Sequence, residues 1–273
     1  MLENITLGQY YPVDSAVHRL DPRMKIILLV LFIVAVFMVP DLTGFVPVIL
    51  YLVLACRLSR IPLRVLVKGL KPLRMILIFT FILNVFFTGG ETPLLSLGFA
   101  TLTREGLLNA VRYSLRLIFL VLGSSLLTLT TAPVTLTDGL ERLLSPLKVI
   151  HFPAHEMAMM MTIALRFIPT LLEEAVKIMK AQSARGADFE SGKLLERARA
   201  MVPLLVPLFV SAFRRAGDLA MAMEARCYHG GEGRTRLHVL KLERRDWLAL
   251  LLTALLIALI ILEGRLIPAG WRL

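Results

Sequence analysis

Five mainly apolar runs stand out against a polar background in this chain of 273 residues. They cover residues 24–39, 44–56, 73–87, 117–131 and 247–262. Each run is somewhat shorter than the ~20 residues that cross ~30 Å of hydrocarbon, so interfacial residues or neighbouring helices are expected to complete the spans. The pattern predicts an all-α, polytopic membrane protein with about five transmembrane helices. The second run contains Pro47 and is the one expected to be kinked or incomplete.

The composition agrees with a membrane protein. Hydrophobic residues make up 57% of the chain, above the 45–50% usual for soluble domains. The mean hydropathy is +0.74. Asp21 and Pro22, an N-cap residue and a first-turn proline, predict the start of the first helix. The opening seventeen residues carry no lysine or arginine, so we expect no signal peptide and a first helix that stays as an anchor.

The basic residues predict the orientation. Six lie in residues 57–74, around the start of the third run, none lies between the first and second runs, and more than half of the chain's 31 fall in residues 132–246. By the positive-inside rule, the N-terminus and residues 132–246 are expected in the cytoplasm and the C-terminus outside. Three regions follow, with transmembrane helices in 1–131, a cytoplasmic region in 132–246 and a last transmembrane helix in 247–273. Arg112 and Arg116 begin the fourth span on its outer side and are expected to be interfacial.

The cytoplasmic region is apolar in short stretches interrupted by Pro169, Pro203 and Pro207. We interpret it as two or three long amphipathic helices at the inner leaflet. Rows of small residues at 158 and 162, and at 212, 216 and 220, are spaced to let two helices cross closely. Most of the chain's twelve methionines also lie here, which favours an adaptable apolar surface for partners. They are Met157, Met159, Met160, Met161, Met179, Met201, Met221 and Met223.

A repeated triplet is the main candidate for function. Ala184-Arg185-Gly186 returns as Ala225-Arg226-Cys227, with the arginines 41 positions apart, and alanines upstream match in the same register. Each triplet closes a helix-favouring stretch, so each predicted helix ends in an arginine between small neighbours. One such arginine is common because it complements the helix dipole. The matched pair favours a docking role, since a guanidinium on an uncrowded helix end suits a carboxylate of another protein.

No catalytic or nucleotide site is predicted. His151 and His155 have a metal-pair spacing, but Pro153 separates them, and no second histidine completes a zinc-protease motif. Residues 230–235 are glycine-rich without the order of a phosphate-binding loop. The two cysteines are isolated. The net charge of +11 follows membrane topology, and without aromatic stacking platforms it does not indicate nucleic-acid binding.

The triplets, taken with two further stretches, resemble the transmembrane T component of energy-coupling factor (ECF) transporters. One stretch is the opening Gly8-Gln9-Tyr10, Asp14-Ser15, His18 to Arg23 and Lys25; the other is Leu165-Arg166-Phe167-Ile168-Pro169. The resemblance covers nearly the whole chain. It implies a non-catalytic subunit in a prokaryotic cell membrane that joins two ABC-type ATPases to a membrane-embedded, substrate-binding S component.

The resemblance also assigns residue roles. Arg185 and Arg226 are the implied ATPase anchors, with Ala184, Gly186, Ala225 and Cys227 as close-approach neighbours. Cys227 stands where glycine or alanine is usual. The methionine-rich helices before the anchors are implied to hold the S component, with Met157, Met160, Met161, Met201 and Met221 as contacts. This chain then needs no cofactor, and ATP and Mg²⁺ belong to the partner ATPases.

Three functions stay open. The first is a T component shared among several S components of vitamin importers. The second is a T component dedicated to one cobalt, nickel or biotin system. The third is a membrane-embedded enzyme, for which no convergent set of polar residues is found.

Overall fold

The computed structural model describes residues 10–88, 93–97, 100–187, 189, 201–230 and 240–266. The all-α prediction is confirmed, with one two-stranded antiparallel hairpin between helices. The helices are α1 (Pro22–Met38), α2 (Phe45–Ser59), α3 (Leu63–Lys68), α4 (Arg74–Phe87), α5 (Arg104–Thr130), α6 (Pro133–Leu144), α7 (Ala154–Ala184), α8 (Val202–Glu224) and α9 (Arg244–Leu266). Short 3₁₀ helices cover Lys71–Leu73 and Ser145–Ile150, and the hairpin strands are β1 (Pro93–Leu97) and β2 (Ala100–Thr103).

Each of the five apolar runs lies in a helix. Among the described residues, three segments are long and apolar enough to cross a membrane: Leu63–Phe87, Arg104–Thr130 and Arg244–Arg265. The helices of the first two runs are shorter, with 17 residues in α1 and 15 in α2. At 1.5 Å per residue they rise ~26 and ~23 Å, a little less than the hydrocarbon thickness. Pro47 lies in the first turn of α2, where a missing backbone N–H breaks no helical bond.

The chain divides into two compact units. Among the described residues, the first unit contains those up to Leu140 and from Leu240 onward, and thus α1 to α5, most of α6 and α9. The second unit contains the described residues between Glu141 and Gly230, and thus the end of α6 together with α7 and α8.

The core of the first unit lies between α1, α2, α5 and α9. Phe32, Val36 and Val39 of α1 and its C-terminal end pack with Val48 of α2 and Ile260 of α9. The α1–α5 contact is close because Gly123 has no side chain. A Cβ at that position would lie 2.5 Å from the ring of Phe32, so a larger residue would force these helices apart.

Hydrogen bonds of Asp21 and Asp246 join the start of α1 to the start of α9. The Asp21 carboxylate caps α1 by accepting the Arg23 backbone N–H at 2.9 Å, and it pairs with the Arg23 guanidinium at 2.8 Å. Asp246, itself buried, accepts the backbone N–H groups of Asp21 at 2.9 Å and of Glu243 at 2.7 Å. One aspartate in the first turn of α9 therefore bonds to the starts of both helices.

Lys25 links the same region to the end of α5. Its side chain is buried, and its ammonium donates to the carbonyl oxygens of His18 at 3.0 Å and Thr130 at 2.9 Å and to the Thr131 hydroxyl at 3.3 Å. The Thr130 carbonyl lies in the last turn of α5, where helical partners are missing. A lysine at this position satisfies that carbonyl and complements the negative end of the helix dipole.

Arg112 and Arg116 of α5 have partners near the end of α1. Arg112 pairs with Asp41 at 3.3 Å, and Arg116 donates to the carbonyl oxygen of Val39 at 3.1 Å. The Arg116 guanidinium also lies 5.6 Å from the centre of the Phe37 ring. These contacts fit the interfacial role that the sequence predicted for both residues.

In the second unit, two long helices continue through prolines that interrupt the apolar stretches of the sequence. Residues 154–184 form one helix of 31 residues that continues through Pro169, and residues 202–224 form one of 23 that continues through Pro207. An interior proline costs one backbone hydrogen bond, which packing along a long helix can outweigh. Pro203 lies in the first turn of α8, where it is tolerated.

Candidate functional site

The candidate site is built on α7 and α8, which pack against each other. A polar contact among the described residues joins them. The Glu174 carboxylate of α7 accepts from the Ser211 hydroxyl at 2.5 Å and from the Arg215 guanidinium at 2.9 Å, both on α8. These two hydrogen bonds, the one from Ser211 first, hold the pKa of Glu174 below its ordinary value. The carboxylate is therefore ionised at neutral pH, and the contact weakens only when acid protonates it.

This contact joins equivalent positions of the repeat. Glu174 and Arg215 are separated by the same 41 positions as the two arginines of the triplets. Arg185 follows Glu174 by 11 positions and Arg226 follows Arg215 by 11, so each helix end lies ~17 Å of helical rise beyond the contact. The two C-terminal arms are therefore matched in length.

The sequence had predicted close crossing through small residues of α8, and this was wrong. Ala216 and Ala220 are exposed, and Ala212 is half-buried. The signal that could have located the contact is an inversion of charge between the copies. Glu173 and Glu174 correspond to Arg214 and Arg215, and Lys177 corresponds to Asp218.

The two helix ends have the same backbone structure. After α7, the Gly186 N–H donates to the Ser183 carbonyl at 3.0 Å and the Ala187 N–H to the Gln182 carbonyl at 3.0 Å. After α8, the Cys227 N–H donates to the Glu224 carbonyl at 2.9 Å and the Tyr228 N–H to the Met223 carbonyl at 3.0 Å. Every donor and acceptor of one end matches the other at an offset of 41. Both ends are Schellman motifs, in which the backbone bonds its own terminal carbonyls.

Arg185 and Arg226 occupy the same position in these motifs. Each directly precedes the residue with left-handed backbone conformation, Gly186 or Cys227, and each arginine side chain is exposed. Within the part of the chain that the structure describes, neither guanidinium makes an ion pair or hydrogen bond. Ala184, Gly186, Ala225 and Cys227 are exposed as well, so the surroundings of both arginines are uncrowded.

The second helix end differs from the first in one respect. Gly186 has a φ of 89°, which glycine adopts readily, whereas Cys227 has a φ of 56°. A side chain in the left-handed region costs roughly 1–2 kcal/mol. Cys227 therefore keeps the geometry of the first end at a conformational cost.

The five methionines predicted as partner contacts are all exposed. Met157, Met160 and Met161 share one face of α7, and Met201 precedes α8, so these four lie before the Glu174–Arg215 contact. Met221 lies beyond that contact, on the arm that ends at Arg226.

The sequence missed a longer apolar face on α8. Its exposed residues recur at the spacing of one helix face and end at Phe213, just before Arg215. They are Val202, Leu205, Val206, Phe209, Val210 and Phe213. We call them the α8 apolar face. Their helical period was visible in the sequence, but the methionines alone were chosen as the contact residues.

The histidine pair considered as a metal site is not brought together by the structure. His155 bonds to Glu141 at 2.9 Å, while His151 follows the 3₁₀ helix in a left-handed conformation, so the pair does not share a helix. No group of three or more metal-ligating residues occurs among the described residues. Most of the glycine-rich stretch, residues 231–235, lies outside the described residues, as do Gly8 and Gln9 of the opening motif.

Comparison with known proteins identifies similar chains. The family model described as cobalt transport protein (CbiQ) matches residues 14–237. A protein from Clostridium kluyveri is 52% identical over 264 residues, which cover 96% of this chain and 98% of the relative. One from Heliobacterium modesticaldum is 55% identical over 247 residues (90% and 92%), and one from Bacillus subtilis is 47% identical over 266 (97% and 98%). All three are named energy-coupling factor transporter transmembrane protein EcfT.

The difference between the helix ends gives a prediction about local stability. Cys227→Gly removes the strain at the end of α8 and should stabilise that cap by about 1 kcal/mol. Hydrogen exchange at the amides of residues 227 and 228 should slow about fivefold. Ala225→Gly serves as the control, because residue 225 has a φ of −62° and glycine there should increase fraying. Equal effects of the two substitutions would contradict the strain at Cys227.

Proposed function

This chain belongs to the family of energy-coupling factor transporter transmembrane proteins, and from that membership we propose that it joins two ABC-type ATPases to a membrane-embedded S component. Its location is a membrane, and we propose the cell membrane of a prokaryote, with the N-terminus and α7 and α8 on the cytoplasmic side. In this proposal α7 and α8 are the coupling helices. The chain itself performs no catalysis, and ATP and Mg²⁺ bind to the partner ATPases.

The matched helix ends support this proposal most strongly. The Schellman motifs satisfy the terminal carbonyls without side chains, so neither arginine is needed for capping. A planar guanidinium on such an end can make two hydrogen bonds to one carboxylate. Two ends with one geometry fit two similar grooves, one on each ATPase.

The contact between Glu174 and Arg215 supports a mechanical role. ATP binding would bring the ATPases together and hydrolysis would separate them, each carrying one arginine end. Because the coupling helices are bonded at equivalent positions, motion of the ends changes their crossing angle. That change would move the apolar residues before the contact and so reorient or release the S component.

The α8 apolar face supports docking of a membrane-embedded partner. Phe209 and Phe213 are 61% and 75% exposed, and a row of exposed apolar side chains marks an interaction surface. Met157, Met160, Met161 and Met201 lie on the same side of the contact along the chain, and we propose that they complete this surface. Met221 stays a separate candidate because it lies on the arm toward Arg226.

We propose vitamin uptake, with several S components sharing this chain. The description of the family model as a cobalt transport protein keeps the dedicated alternative in view. Purification of the tagged chain from its host distinguishes the two, since a shared subunit recovers several small membrane proteins and a dedicated one recovers a single protein.

The arginine ends can be tested by charge reversal. Arg185→Glu with Arg226→Glu places like charges in the proposed grooves and should cost about 2–5 kcal/mol at each buried pair. Both ATPases should be lost from a pull-down of the tagged chain, and each single variant should weaken the binding of one. Lys180→Glu with Arg214→Glu is the control, since both residues are exposed on the same helices. Retention of the ATPases by the double arginine variant would refute the docking role.

The contact between the coupling helices can be tested by exchanging charges. Spin labels at positions 181 and 222, in a background with Cys56→Ala and Cys227→Gly, report the distance between the arms. Glu174→Arg should broaden the distance distribution because it sets two guanidiniums side by side, and adding Arg215→Glu should narrow it again. Glu173→Arg makes the same change one residue earlier and should leave the distribution narrow. A double variant as broad as the single one would mean that the pair does not hold the crossing.

The α8 apolar face can be tested separately from the ATPases. Phe209→Asp with Phe213→Asp should reduce recovery of the S component by tenfold or more, since each buried phenylalanine contributes about 1.5–3 kcal/mol. ATPase recovery should be unchanged because the arginine ends are intact. Val149→Asp with Ile150→Asp changes two other exposed apolar residues and serves as the control. Undiminished S-component recovery with the phenylalanine variant would place the docking surface elsewhere.

A further inference from the structure

The first unit contains an open groove of about 280 Å³ between four helices. This volume is just below the ~300–1,000 Å³ of pockets that enclose whole ligands. The lining residues fall in 25–32 of α1, 51–58 of α2, 123–130 of α5 and 245–252 of α9, together with Ala16, Val17 and Leu20 of the segment before α1. On each helix they include positions i, i+3, i+4 and i+7, so one face of each helix forms a wall ~10 Å long.

The groove is polar at one end and apolar along the rest. Lys25 lies near the start of α1, Thr130 near the end of α5 and Arg245 near the start of α9. The bond from Lys25 to the Thr130 carbonyl, and that from Asp21 to Asp246 beside Arg245, bring these three helix ends together. From there the walls are mainly leucine, and the stacked rings of Phe32 and Tyr51 line the other end, where the Tyr51 hydroxyl bonds to the Thr253 hydroxyl at 2.9 Å. A ligand that fits this gradient has a polar head and an apolar chain.

Arg245 is the polar group at this end that has room for a ligand. Lys25 uses its donors on backbone and threonine oxygens, and the Thr130 hydroxyl donates to the Leu126 carbonyl at 2.8 Å. The Arg245 side chain is 51% exposed, and its Nε lies 3.8 Å from the Glu243 carboxylate, beyond hydrogen-bond distance. Among the described residues no closer partner of this guanidinium occurs.

We propose that the groove binds the part of one acyl chain nearest the head group of an anionic phospholipid, with the lipid phosphate on Arg245. The leucine walls exclude a polar ligand because they offer it no hydrogen bonds, and the bilayer supplies acyl chains at high local concentration. A guanidinium binds phosphate with two parallel hydrogen bonds. Anionic lipids are also drawn to basic residues beside membrane-spanning helices. This site does not depend on the proposed transport function.

Native mass spectrometry of the purified full chain tests the head-group contact. The probes are phosphatidylglycerol and diacylglycerol, which has no phosphate, with identical acyl chains. The wild type should bind phosphatidylglycerol at least fivefold more tightly. Arg245→Ala should weaken phosphatidylglycerol binding by about tenfold, as expected for one charge-assisted contact, with little effect on diacylglycerol. Arg245→Lys should retain part of the preference, and Arg244→Ala, an exposed neighbour outside the groove, should retain all of it.

A second pair of variants tests the apolar part. Ala249→Phe fills the groove and should reduce binding of both lipids at least fivefold, whereas Ala254→Phe, on the same helix but outside the lining, should change neither. Melting temperatures of all variants within a few degrees of the wild type show that the fold is kept. Equal binding of the two lipids by the wild type, or an unchanged preference in Arg245→Ala, would overturn the proposal. If Ala249→Phe proves unstable, the Arg245 and Arg244 variants decide it.

Discussion

The structure depends on how the backbone groups at helix ends are satisfied. Four N–H groups and four carbonyls at each helix have no helical partner, and in an apolar environment leaving them unbonded is costly. In the first unit, buried charged side chains bond them. Asp246 accepts N–H groups at the starts of α1 and α9, and Lys25 donates to the end of α5. These residues hold three helices together, and most of their hydrogen-bonding groups are used in these contacts.

In the second unit, backbone N–H groups bond the terminal carbonyls of α7 and α8 without side chains. At the ends of α7 and α8, two N–H groups turn back to the last carbonyls, and a left-handed residue makes this turn possible. The side chain before that residue is then not required for capping. This explains physically how Arg185 and Arg226 can remain exposed at both ends. Cys227 adopts the left-handed conformation without being glycine, so the geometry of the second end is maintained despite its cost.

Sequence reasoning succeeded where hydrophobic pattern decides the structure. Each apolar run lies mainly in a helix. The two helix ends that carry arginine could be located because the repeated triplet, with small residues beside each arginine, can be recognised in the sequence. It failed where packing outweighs local preference. The start of α5 at Arg104, well before its apolar part, was not predicted. The contact at Glu174 was missed because small residues were taken as the crossing, although charges at equivalent positions of the repeat are opposite.

The position of that contact sets the mechanical advantage of the proposed coupling. Arg185 lies 11 residues beyond Glu174, whereas α7 extends back from Glu174 to Ala154. At 1.5 Å per residue these arms rise ~17 and ~30 Å. If α7 turns as a rigid body about the contact, its far end moves nearly twice as far as its arginine. Pro169 lies on the long arm, where a missing hydrogen bond allows bending. In the proposed coupling, the stiff short arm of α7 lies at the ATPase, and the long arm, which contains Pro169, carries Met157, Met160 and Met161. Such a helix would transmit motion from the ATPase, and its long arm would adapt to the surface that it contacts.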